Sequence, residues 1–135
     1  MALEITERER EGVAILDMKG RIVAGSDTSM FRAEFERLQT ENKHRVIVNL
    51  KEVDFIDSTG LGALVVCASA LKKNKDGGVK LLHLNRRNLE LMVVTRLTTM
   101  FEIFDEEQFA LNSFFPGREL KTFDLLSFVK QMNED

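Results

Sequence analysis

At 135 residues and 44% hydrophobic content, the chain has the length and apolar fraction for one domain with a core of its own, which excludes wholesale disorder. Its 19 basic and 22 acidic residues are interspersed and sum to a net charge of −3, so no basic stripe is available to neutralise nucleic-acid phosphates. A single cysteine, Cys67, excludes an internal disulfide framework and a cysteine metal site, and suits a reducing compartment. The opening "MALEITERERE" is charged almost at once, unlike the apolar core of a signal peptide, and no later apolar run reaches membrane-spanning length. A soluble cytoplasmic protein with no membrane partner is therefore expected. The ten Phe fall mostly at core-like periodic positions and not in polar surroundings suited to base stacking.

Leu3 and Ile5 alternate with polar residues, and "ERERE" with Gly12 turns the chain into "VAILDMKG", a hairpin signal. Gly25, Ser26 and Asp27 then punctuate the sequence. Phe31, Phe35 and Leu38 recur at helical spacing, so a first helix is predicted to start near Asp27. "RVIVNL" is short, β-branched and nearly all apolar, as in a central strand covered on both faces or packed under helices. After the junction "VDFIDSTGLGALV", residues Leu61, Leu64, Val65, Ala68 and Leu71 mark one helix face. Lys72, Lys73 and Lys75 lie near that helix's C-terminus, where cations suit the dipole, before Gly77 and Gly78.

"VKLLHL" reads as the next strand, "RRNLELMVVTRL" as the next helix and "MFEIF" as a short strand, followed by a helix near 106–113. Repeated strand-to-helix-to-strand crossovers imply an α/β fold with a mostly parallel sheet of four to five strands and an antiparallel hairpin at its start. "FFPGRE" carries the only proline and separates a domain over 1–113 from a C-terminal extension over 114–135. In that extension "LKTFDLLSFVKQMNED" reads as an amphipathic helix with Leu125, Phe128, Val129 and Met132 on one stripe. The stripe either packs on its own domain or makes a homodimer or partner contact.

The junction allows three chemistries. A serine-hydrolase elbow needs G-x-S-x-G with a His base and an acid, whereas Ser58 sits in I-D-S-T-G. Of the two histidines, His83 reads as a core or edge residue of the strand "LLHL" and His44 as a solvated residue of a charged turn. No catalytic residue is assigned, and no His, Cys and acid residues recur at metal-ligand spacing. A phosphate-cradling loop would need the lysine and spacing of G-x-x-x-x-G-K-[ST], or the full G-x-G-x-x-G, and "STGLG" has neither; no cofactor is assigned. The third chemistry asks least of the protein: Ser58 or Thr59 caps the helix, and the same surface hydroxyl accepts a phosphoryl group favoured by the helix dipole.

"NLKEVDFIDSTGLGALV" resembles the signature of the STAS domain, the fold of bacterial anti-sigma factor antagonists, in which an apolar strand ends in D-S-[ST]-G-[LI]-G. "MKGRIVAG" and "VKLLHLNRRNLELMVVTRLTTMFEIFDEEQFAL" extend the likeness over roughly residues 3–113. The resemblance implies a partner-switching regulator without catalytic groups of its own. Ser58 is the phosphate acceptor by motif position, preceded by Asp57, with Thr59 beside it and Gly60 and Gly62 opening the helix. The implied partners are an anti-sigma factor serine kinase of histidine-kinase-like ATPase fold and a PP2C-type phosphatase. The unphosphorylated form would hold the kinase and free a sigma factor.

The chain departs from the family in two places. Val23 stands where an Asp often borders the partner surface, with Ser26 and Asp27 as substitutes, and Thr95, Arg96, Leu97 replace a late T-G-L, Arg96 reading as a solvated helix residue. Two other readings stay open: a STAS subunit of a different signalling scaffold or transport complex, and a nucleotide-binding protein.

Overall fold

The computed structural model describes residues 2–134. Its strands β1 (Glu4–Arg10) and β2 (Val13–Ile22) form the predicted hairpin. Glu11 and Gly12 both take positive φ, 51° and 81°, as a two-residue turn between right-twisted strands demands. Then follow α1 (Ser26–Thr40), β3 (Arg45–Ile56), α2 (Ser58–Lys72), β4 (Gly78–Leu82), α3 (Arg86–Val94), β5 (Ile103–Phe104), α4 (Glu107–Asn112) and α5 (Leu125–Glu134). The sheet order is β1-β2-β3-β4-β5, antiparallel only at the hairpin and parallel in its other three pairings. The expected α/β architecture is therefore the observed one.

The sheet is covered on both faces, which is why "RVIVNL" lacks alternation. On one face Leu16, Met18, Val46, Val48 and Leu50 pack against Phe31, Phe35 and Leu38 of α1 and Leu61, Leu64 and Leu71 of α2. On the other, Val13, Ile15, Ile47 and Leu82 lie under Ala110 and Leu111 of α4. A charged cluster ties α4 to the hairpin. Arg8 donates to both oxygens of Asp17 (2.7 and 3.1 Å) and to Glu107, and Arg10 Nη1 donates to Glu107 at 2.7 Å. Arg8 first, and then Arg10, hold the Glu107 carboxyl down at about 2 against the opposing effect of burial.

Three elements depart from the sequence reading. The terminal helix begins at Leu125, not Leu120, because the preceding segment is drawn along the sheet edge by a bond from the Phe123 N–H to the Ile103 carbonyl, 2.8 Å. Asp124 then caps α5, its carboxylate accepting from the Ser127 N–H and hydroxyl. The stripe turns inward: Phe128 is buried, and Phe123 and Met132 pack against the same core; Asp135, at the end of the predicted helix, lies outside the described residues. Arg96 is not helical. It follows α3 in the left-handed conformation, φ 61°, before a 3-10 turn at Leu97–Thr99. β4 ends at Leu82, so His83 lies beyond the strand, also left-handed at φ 59°. His44, expected in solvent, is partly buried with an unpartnered Nδ1.

A left-handed non-glycine residue costs roughly 1–2 kcal/mol, partly offset by the extra chain entropy a glycine would bring. Arg96→Gly should therefore stabilise the fold by about 0.5–1 kcal/mol, read as a raised urea midpoint at unchanged slope. Glu107 gives a pH signature. Its folded pKa lies below the ordinary 4.5, so its contribution is fully present above that value and disappears as pH falls through about 2. Wild type should exceed Glu107→Gln by about 1–2 kcal/mol at neutral pH, with the gap closing between pH 4 and about 2 in acid-urea titrations.

Candidate functional site

Two register shifts in the β2–β3 pairing, between Asp17 and Lys19 and between Gly20 and Arg21, give β3 extra residues relative to β2. Bulges of this kind re-aim the chain where they occur. They bring the end of β3 beside the end of β2, where the Asp57 N–H donates to the Ile22 carbonyl at 3.2 Å. Asp57 is the N-cap of α2, with extended backbone. Its Oδ1 accepts from the Gly60 N–H at 2.7 Å and its Oδ2 from the Ala24 N–H at 3.0 Å. One carboxylate thereby stitches the loop after β2 to the first turn of α2. The Gly60 amide, then those of Ala24 and Thr59, hold its carboxyl below the usual range for aspartate.

Ser58 is thus not the cap. It is the first residue of α2 and exposed, and its hydroxyl makes no hydrogen bond among the described residues. Thr59 is exposed beside it. The two glycines do different things. A Cβ on Gly60 would sit 2.1 Å from the Ile22 carbonyl oxygen, so that position admits only glycine at this helix–strand approach, whereas a Cβ on Gly62 would meet open space. Gly60 is buried and Gly62 exposed.

Ser26, exposed at the start of α1, joins the same end of the sheet through the Asp57–Ala24 bond. Asp27 does not share that surface. It is 6% exposed, and its carboxylate accepts from the Leu3 N–H at 3.1 Å with the Arg21 guanidinium 3.9 Å away. The sequence placed it among partner-contact residues, and the fold instead uses it to pin the N-terminal segment.

Sequence reasoning missed Phe55, which is 38% exposed with the Arg87 guanidinium 5.1 Å from its ring centroid, and Met30, 46% exposed. Phe55 alternates with Val53, so strand periodicity assigns it to the core, and Met30 lies one residue off the stripe of Phe31, Phe35 and Leu38. It also missed Asn85 and Asn88, whose side-chain amides donate to the Val53 carbonyl at 3.2 and 3.0 Å and fasten α3 to the end of β3. Cys67 offers no alternative nucleophile, since burial raises its thiol to about 11. No helix among the described residues is long and apolar enough to cross a membrane.

Residues 4–110 match the STAS domain. The chain belongs to the STAS-domain family. Its fold is similar to that of a candidate anti-sigma factor antagonist from Thermotoga maritima, at 19% identity and a TM-score of 0.75 over 81% of this chain and 92% of that one. It is also similar to the phosphorylated form of SpoIIAA, a Bacillus cell fate determinant, at 15% identity and a TM-score of 0.63 over 82% and 98% of the two chains. The unphosphorylated form of the anti-sigma factor antagonist SpoIIAA gives 14% identity and the same TM-score over 87% and 100%.

The STAS junction here divides capping from exposure, and stability should divide likewise. Asp57→Ala removes acceptors from two backbone donors and should cost about 1–2 kcal/mol, while Ser58→Ala should stay within about 0.5 kcal/mol of wild type. Equal losses in urea denaturation would mean that Ser58 carries the cap.

Proposed function

We propose that this STAS protein is an anti-sigma factor antagonist whose partner binding is switched by phosphorylation of Ser58. The observation that carries the reading is the free, exposed Ser58 hydroxyl on the first turn of α2, released from capping by Asp57. A phosphoryl group there brings a charge of about −1.5 to −2 to a helix N-terminus, where the dipole favours it. No core contact has to break. The same charge lies beside Asp57 and close to exposed Asp54, so a partner docked over this surface would bury unpaired negative charge at a cost of several kcal/mol. Since 1.4 kcal/mol is tenfold in affinity, release follows.

On this reading the unphosphorylated protein holds an anti-sigma factor that is itself a serine kinase of histidine-kinase-like ATPase fold, and so frees a sigma factor. A PP2C-type phosphatase restores the binding form. The contact surface comprises Ser58, Thr59, Gly62 and Ser26, with Phe55 and Met30 as its apolar members, while Asp57 and Gly60 set its shape. The protein contributes no catalytic group and works in the cytoplasm. The domain ends near residue 113, and residues 114–135 form an extension to it.

Affinity capture with wild type, Ser58→Ala and Ser58→Asp tests the switch directly. A histidine-kinase-like ATPase should be held by the first two baits and lost with the third, and ATP should label wild type but not Ser58→Ala. Stoichiometric labelling of Ser58→Ala would place the acceptor elsewhere, and identical captures by all three baits would remove Ser58 from the partner surface.

A further inference from the structure

A cavity of about 290 Å³ lies beyond the carboxyl ends of β4 and β5, beside β3. Its apolar wall includes Leu89, Ile103 and Phe123, and its ionisable groups are Lys51, His83 and Asp105. Phe123 belongs to the segment beyond the STAS match over residues 4–110 and lines one side of the pocket, its backbone N–H bonded to the Ile103 carbonyl. This chain's own extension therefore supplies part of the wall of a pocket that stays open to solvent. His83 is held in the left-handed conformation, φ 59°, with its backbone N–H bonded to the Phe104 carbonyl at 2.9 Å. Strain of this kind in a non-glycine residue concentrates at ligand-binding positions.

Asn85 also lines the cavity, but its side chain is committed to the Val53 and Asp54 carbonyls and to the Asn88 N–H. The side chains of Lys51, His83 and Asp105, in contrast, make no hydrogen bond or ion pair among the described residues. Opposite charges therefore face one small apolar volume. A simple anion would meet Asp105 and a simple cation would meet Lys51, so each single-charge ligand is opposed by one of them. Burial, and then Lys51, keep the His83 imidazole below its ordinary 6.5, with Asp105 and Glu107 pulling the other way. At neutral pH it presents an uncharged N–H donor. The volume of about 290 Å³ lies at the small end of the roughly 300–1,000 Å³ range of drug-sized sites, which suits a ligand of amino-acid size.

We propose that this cavity binds a small zwitterion carrying an apolar side chain, the simplest being a free apolar L-amino acid. Its carboxylate is taken by Lys51 and His83, its ammonium by Asp105, and its side chain by the wall that Phe123 completes. The site is separate from Ser58 and does not depend on the phosphorylation reading.

Calorimetric titration of the full chain with L-phenylalanine and L-leucine tests it, alongside 3-phenylpropionate, which lacks the ammonium, and 2-phenylethylamine, which lacks the carboxylate. Saturable one-to-one binding of an amino acid is expected, with each stripped analogue at least about tenfold weaker, the loss expected for one charge-assisted bond. Asp105→Asn should erase the preference for L-phenylalanine over 3-phenylpropionate, and Lys51→Met the preference over 2-phenylethylamine. Both positions are exposed, so melting temperatures should not move. His83→Gly relieves the backbone strain and should raise the melting temperature while weakening the amino acid at least about threefold, a loss smaller than that of a charged contact. Absence of saturable heat from either amino acid, equal binding of the stripped analogues, or affinities unmoved by Lys51→Met and Asp105→Asn would each overturn the assignment.

Discussion

Two backbone amides from different parts of the chain, Gly60 in α2 and Ala24 after β2, converge on the single carboxylate of Asp57. An ionised carboxylate only accepts hydrogen bonds, and here each oxygen is filled by a donor that would otherwise be an orphan of a helix terminus or a loop. The loop between β2 and α1 is thereby held against the start of α2, and the end of β3 against the end of β2. Because the cap is supplied by the residue before the helix, the serine that follows has no structural duty. Charge placed on that serine would leave the domain's own bonds in place.

The same junction shows why its residues cannot be exchanged freely. Gly60 passes so close to the Ile22 carbonyl that a methyl group has no room, which fixes the approach of α2 to β2 and hence the height at which Ser58 stands. On the far side, Asn85 and Asn88 grip the Val53 carbonyl and keep the bulged end of β3 from fraying. Ser58 is an exposed residue on a rigid frame, the combination a binding switch requires, since a mobile segment would lose part of its docking energy to ordering.

Much of this was legible in the sequence, for identifiable reasons. Helical spacing of Phe31, Phe35 and Leu38, and of Leu61, Leu64 and Leu71, marks α1 and α2 because each buries one face; the unbroken apolar run of β3 marks a strand buried on two. The D-S-T-G junction marked the site, but three consecutive cap-competent residues, Asp57, Ser58 and Thr59, cannot be ranked by type when backbone direction decides which one turns back on the helix. The burial of Asp27 was not legible because it depends on a donor 24 residues away, the Leu3 amide. The start of α5 was misplaced because the Phe123 N–H is taken by the Ile103 carbonyl, a tertiary bond that helical spacing does not show. Arg96 and His83 have no local signal, since nothing in either side chain favours a left-handed backbone.

The sheet protects its two edges differently, and the difference has consequences. β1 relies on its own charges, which alternate in sign from Glu7 to Arg10 and discourage pairing with another chain. β5 is only two residues long, too short to carry such a pattern, and it is covered by the extension, whose Phe123 amide satisfies the Ile103 carbonyl and whose Phe128 adds to the core. Covering an edge with a loop, unlike charging it, adds a wall, and the pocket it borders is lined by Lys51, His83 and Asp105. The cavity and the junction meet at Asn85, which lines the first and bonds to the Asp54 carbonyl three residues before Asp57. Occupancy of the cavity therefore bears on Ser58 only to the extent that a ligand favours one arrangement of this strand end over another. Two asparagines fasten α3 at this strand end, so a ligand that favoured the present arrangement would stiffen the frame that carries Ser58.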